Sequence, residues 1–234
     1  MKYCIDQPGC LGDILFTLKI GEVLSEKGEV DWFVNPSFWE SGISRLKTSF
    51  NLSPNAPRYV EGAEKISLCN LTDRPDPDLM LKKYAVVDMD WSDWSSYVKY
   101  DRDYDKENEL REFLGIQKGE KYILLNDMFG MYNVHKGVQR SIPEEYDGKI
   151  IKMNVYNEAT VFDWCGIFEN AEEIHTVDTS ILLIIETLKL KAKKMVMHPR
   201  HYKYTFPQLG KLFKKPWEWV EYTEQEWKEL CPNG

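Results

Sequence analysis

Two short stretches of the chain hold residue types whose spacing could do chemistry. The first is "PGCLGD", residues 8–13, set between a short apolar run and an apolar helix. Glycines at 9 and 12 let the backbone approach a ligand closely and take positive φ, which makes Gly12 a candidate binding position. Asp13 falls where the helix opens. It reads either as the helix cap or as a general base that takes a proton from an attacking hydroxyl. The second stretch is "EEIHTVDTSILLIIE", residues 172–186. A strand ends at Val177, and Asp178, Thr179 and Ser180 open an apolar helix whose first N–H groups are free to hold a diphosphate. Asp178 alone could simply cap that helix. His175 lies within the strand, as a structural residue or as a contact to a phosphate or base. Glu186 lies two turns into the helix, solvated or hydrogen-bonded to a ribose hydroxyl.

A third candidate is the long loop that follows "KYILLND". Its Lys136 and Arg140 read as surface charge or as cations that offset a leaving diphosphate, for which a guanidinium offers a bidentate fit. Asp88, Asp90 and Asp93 in "VVDMDWSDW" invite a metal, since Asp-x-Asp holds divalent ions in some transferases. The pattern is common by chance, and no metal is assigned. "MHPRHYKY" offers His198, Arg200 and His201 as a basic contact rather than as metal ligands. Neither GxGxxG nor GxxxxGK[ST] occurs, so the dinucleotide and Walker-type phosphate loops are excluded.

Elements that position these residues follow from periodicity. "KYCI" is a strand, "ILFTLKIGEVLSEKG" an amphipathic helix ended by Gly28, and "VDWFV" a second strand. A short helix begins at Pro36. Tyr59–Val60 and Ile66–Cys69 are short strand candidates, and "YAVVDMD" at 84–90 reads as a buried strand. Residues 105–115 form a helix closed by Gly115. The alternation then restarts, with strands at 121–127, "GKIIKMNV", "EEIHTV" and "KKMVMH". Helices are expected over "EATVFDWCGIFENA", "DTSILLIIETLKLK" and "EQEWKEL". The fold class is α/β: two Rossmann-like parallel-sheet blocks facing a cleft, over 1–117 and 118–234; whether the aromatic tail packs back on the first is left open by the sequence. Ligands of such sheets bind outside the carboxyl ends of the strands.

Composition narrows the partners. With 234 residues the chain can bury a sizeable core, and 13% aromatic residues, eight of them tryptophan, give that core bulk. A net charge of −8 argues against a nucleic-acid or anionic-membrane surface. Five scattered cysteines with no CxxC fit a reduced, cytoplasmic compartment rather than a disulfide framework or zinc site. No apolar run approaches the ~20 residues that span a bilayer.

With those motifs in place, the chain resembles a two-domain glycosyltransferase of the GT-B fold, reduced in size. It most resembles the ADP-heptose lipopolysaccharide heptosyltransferase group. That group carries LGD-[IV]-[LI]-x-[TS]-L-P at its first strand–helix turn, and "LGDILFTLK" stands at 11–19, with Lys19 in place of the proline. The group also carries a DTG- or DTS-like turn late in its second domain, which "VDTSILLIIETL" matches. Ser180 replaces the usual glycine and is similar to the diphosphate turn of fucosyltransferase-like proteins; the histidine that usually follows is absent. The resemblance implies that Asp13 activates an acceptor hydroxyl. Asp178, Thr179 and Ser180 would hold a nucleotide-sugar's diphosphate, and Lys136 or Arg140 would offset its charge without a metal or other cofactor. The partners it implies are a nucleotide-sugar donor and a saccharide acceptor. Two alternatives stay open: a non-catalytic nucleotide- or sugar-binding module, and another nucleotide-sugar enzyme such as an epimerase.

Overall fold

A computed structural model describes residues 1–7, 9–69, 71, 78–129, 133–154, 159–204 and 209–231. The chain divides into two compact units, Met1–Arg102 and Asp103–Gly234. Each is a parallel sheet covered by helices, so the two Rossmann-like blocks are present. The unit boundary places the helix at 104–113 in the second unit.

In the first unit, β1 (Lys2–Asp6), β2 (Glu29–Phe33), β3 (Asn51–Ser53) and β4 (Glu64–Ser67) form an all-parallel sheet in the order β3-β2-β1-β4. Ile5 on the central strand pairs with Trp32 on one side and Ile66 on the other. Helix α1 (Leu11–Ser25) is buried on nearly every side, with Thr17, Lys19 and Gly21 buried beside the apolar positions. The expected amphipathic helix is therefore a core helix. It is enclosed by α3 (Leu79–Ala85) and a 3₁₀ turn at Trp94–Tyr97. Phe16 meets the ring of Tyr84 edge-on at 5.1 Å and lies 5.4 Å from Trp94, while the Tyr84 hydroxyl donates to the Phe16 carbonyl. Asn35 caps the short α2 (Pro36–Trp39), accepting from the Ser37 N–H. Gly28 lies so close to the Met1 carbonyl that a Cβ there would collide with it.

The second unit contains α4 (Tyr104–Phe113), β5 (Tyr122–Asn126), a small hairpin of β6 (Met128–Phe129) and β7 (Asn133–Val134), α5 (Lys136–Arg140), β8 (Lys149–Lys152) and α6 (Cys165–Asn170). It continues with β9 (Glu173–Val177), α7 (Ser180–Thr187), β10 (Lys194–His198), β11 (Glu218–Trp219) and α8 (Glu224–Leu230). Its five-stranded sheet is parallel throughout, in the order β11-β10-β9-β5-β8. A capping box of Thr160 and Asp163 starts the 3₁₀ turn that leads into α6. The tail's described residues belong to this unit. It adds β11 at the sheet edge, and Trp227 and Leu230 of α8 with Cys231 just after it complete a core with Leu125, Phe129, Val138 and Val177.

Several local expectations change. Residues 84–90 are not a strand. Tyr84 ends a helix, Val86 is exposed, and the chain turns through Asp88 at φ 48°. Tyr59–Val60 forms no strand either. The loop after β5 contains both the hairpin and α5, and the short edge strands β3 and β11 were not expected. Among the described residues, no helix is long and apolar enough to cross a membrane.

Candidate functional site

Strand order locates the ligand-binding ends. In a parallel α/β sheet the crevice opens where successive connections diverge to opposite faces, beyond the strand carboxyl ends. In the first unit this switch lies between β1 and β4, so the loop that leaves β1 and carries Gly9–Asp13 starts at it. In the second it lies between β5 and β9, at Asn126–Asp127 and Val177–Asp178. Both quoted motifs thus occupy switch points, one in each unit.

In the first unit, Asp13 is not the helix cap. Cys10 holds that position without a side-chain cap, and Asp13 and Gly12 are inside the first turn. Asp13 instead forms an ion pair through Oδ1 with the ammonium of Lys83 on α3, a residue only 1% exposed. Its second oxygen leans over Gly9, where an added Cβ would sit 2.8 Å from Oδ2. Neither Gly9 nor Gly12 has positive φ; Gly9 serves close approach instead. Lys19 is likewise buried. It pairs with Asp93 and donates to the Asp90 carbonyl at 2.7 Å, fixing the 90–93 turn to α1. A buried ammonium needs a close counter-charge, because burying a charge alone costs several kcal/mol.

In the second unit, Asp178 is 5% exposed and accepts the Arg200 N–H at 2.6 Å, while its own N–H donates to the His198 carbonyl. Burial raises its carboxyl to a pKa of about 6, with the Arg200 guanidinium opposing. The residue thereby ties the end of β9 to the turn after β10. Thr179 is the N-cap of α7; its hydroxyl is buried without a hydrogen-bond partner. Ser180 begins the helix and is half-buried. Lys136 and Arg140 are exposed on α5. Two other candidates are already engaged. Glu186 accepts from the backbone N–H groups of Lys214 and Lys215 and from the Trp217 indole, at 3.0, 3.4 and 2.8 Å. His175, fully buried, bonds Ser141 through Nδ1 at 2.6 Å and Glu173 through Nε2 at 2.9 Å.

The sequence places Asp127 and His135 in turn and loop and offers His198 as a basic contact; the structure buries all three at this sheet end. Asp127 is fully buried. Its Oδ2 accepts from Gln139 at 2.6 Å and Lys152 at 2.8 Å, and its Oδ1 has no partner. His135 is fully buried with neither ring nitrogen in hydrogen-bond geometry, although the Pro199 carbonyl lies nearby. His198 bonds Tyr222 and Ser141. Burial lowers the imidazole pKa of all three, His198 to about 3. A histidine or aspartate directly after a strand is the one available sequence signal for this cluster. Lys83 gave none, because its neighbour Lys82 is exposed. His201 stacks on Tyr202 and meets Trp227 at a tilt, 4.9 Å between ring centres. Among the described residues, no three histidine, cysteine or acidic side chains stand together as a metal site would require.

No family model matches the chain, and no curated protein matches its sequence. Among solved structures, E. coli heptosyltransferase WaaC with ADP is similar at a TM-score of 0.46 and 13% identity, over 100% of this chain and 97% of that one.

Proposed function

We propose that the chain is a cytoplasmic, metal-independent glycosyltransferase of GT-B type, moving a sugar from a nucleotide-sugar to a saccharide acceptor. The supporting observation is the coincidence just described. Two motifs that resemble those of the heptosyltransferase group fall at the carboxyl-end switch points of two separate parallel sheets.

On this reading the second unit holds the donor. The first amides of α7, with Thr179 and Ser180, take the diphosphate, and Lys136 and Arg140 lend positive charge. Asp178 acts from behind, by fixing the turn at Arg200. The first unit supplies Asp13, with Gly12 leaving its backbone open to the acceptor. Its carboxylate takes the proton of an acceptor hydroxyl, whose oxygen attacks the anomeric carbon. The bond to the diphosphate breaks, and aligned amides and cations stabilise the negative charge that leaves. His175 and Glu186 act through the scaffold: their hydrogen bonds hold α5 and the tail.

Thermal unfolding in the presence of ADP, GDP, UDP or CDP tests the donor side. One of them at 100 times its Kd should add about 2.7 kcal/mol. No shift with any of the four overturns the reading.

A second reading is favoured by one observation: the proposed base is already paired with a buried ammonium. The chain would then be a non-catalytic nucleotide-binding relative. Asp13→Asn combined with Lys83→Met separates the two. Turnover that falls by orders of magnitude with nucleotide binding intact marks an enzyme; a protein with binding and no turnover to lose is a binder.

A further inference from the structure

A continuous hydrogen-bonded chain crosses the second unit beneath its sheet end. The Tyr222 hydroxyl lies 2.6 Å from His198 Nδ1, and His198 Nε2 lies 3.2 Å from Ser141 Oγ. Ser141 Oγ lies 2.6 Å from His175 Nδ1, and His175 Nε2 lies 2.9 Å from Glu173 Oε2. Tyr222 can donate to His198 and His198 to Ser141, whose single proton faces both the Val138 carbonyl at 2.7 Å and His175 Nδ1, while His175 Nε2 meets the Glu173 carboxylate. A proton added at His198 Nδ1 reverses the first link, since that nitrogen can then only donate to the Tyr222 oxygen, and it puts a charge on a ring that is 1% exposed.

The first link joins the C-terminal segment to the sheet. Tyr222 packs beside the cluster that Trp227, Leu230 and Cys231 complete against Leu125 and Val138. Around His198, the His135 ring lies 5.6 Å away and His175 opposes its charge from β9. The Asp178 N–H donates to the His198 carbonyl, and the carboxylates of Asp127 and Asp178 face the cations Lys152 and Arg200. On the tail side, Arg140, Glu226 and Cys231 act on Tyr222. On the far side, Glu173 faces His175, with Lys194 and Glu218 beyond it. Among the described residues, His198 has no hydrogen bond or ion pair to a carboxylate, so nothing there compensates a positive charge.

We propose that residues 220–231 form a proton-released latch: proton uptake at His198 frees Tyr222 and α8 from the sheet and loosens the end of α5. The latch goes beyond the transferase reading and stands whether or not that reading holds.

Amide hydrogen exchange of the whole chain between pH 7.5 and 4.5, corrected for intrinsic rates, tests it, with β5 as the internal reference. Opening of 222–231 should rise at least about tenfold per pH unit below about 6.5 while β5 stays protected. His198→Asn should remove one proton from that dependence, a slope about tenfold shallower per unit. Tyr222→Phe should raise opening about fivefold at every pH and keep the slope. If the asparagine variant does not fold, His198→Gln takes its place. Constant protection of 222–231 across the range, or equal slopes in the variant and native chains, overturns the proposal.

Discussion

Asp13 and Lys83 show how a side chain can be readable in type and hidden in partnership. The sequence places a carboxylate at the first turn of α1, but the ammonium that meets it lies seventy positions later on α3. Removing the carboxylate takes this ion pair from a buried ammonium. We predict that Asp13→Asn destabilises the chain by about 3–5 kcal/mol, and that adding Lys83→Met restores most of it. Urea unfolding of the two variants measures this; equal stability of both would refute the ion pair's role.

Asp178 carries a second consequence. Its carboxyl titrates near 6 rather than 3.8 because burial disfavours the charge. The folded chain therefore holds that proton more tightly than the unfolded one. Stability from this group falls as pH rises from 3.8 to 6, and stays low above. We predict that Asp178→Asn raises stability at pH 7.5 by an amount on the order of 1–3 kcal/mol, with the gain vanishing near pH 4. His198 works in the opposite direction. With its pKa lowered from 6.5 to about 3, its contribution is full above 6.5 and lost as pH falls. The two slopes partly cancel in the native chain, so the asparagine variant should also show the steeper acid loss.

Among the elements, those written as compact apolar runs were legible. "KYCI", "VDWFV", "EEIHTV" and "KKMVMH" are the strands β1, β2, β9 and β10, because buried parallel strands read as short apolar runs. "YAVVDMD" misled for the same reason. A short apolar run does not distinguish strand from helix end, and here only the tyrosine is buried. The edges β3 and β11, three and two residues long, depend on their neighbours rather than on their own sequence. Glu186 illustrates the long-range part: no local pattern says that three N–H groups from residues 214–217 will converge on it. We predict that Glu186→Ala costs about 1–3 kcal/mol and opens 213–219 to limited proteolysis, whereas a solvated glutamate would be neutral. An unchanged cleavage pattern would contradict the clamp.

For the whole molecule, the two blocks and their parallel sheets were legible from alternation alone. The candidate site was legible only as two motifs; its supporting polar cluster at 127, 135, 141, 198 and 222 comes from segments up to about a hundred residues apart, brought together by strand order. Strand order is what gives the motifs functional meaning, since it places both at switch points. The proposal that the second of these holds a nucleoside diphosphate has a direct check in hydrogen exchange with and without ADP, GDP, UDP or CDP at saturation. One of them should slow exchange at 178–182 and 136–140 and leave β1–β4 unchanged. Protection confined to the first unit, or none with any of the four, would contradict the account.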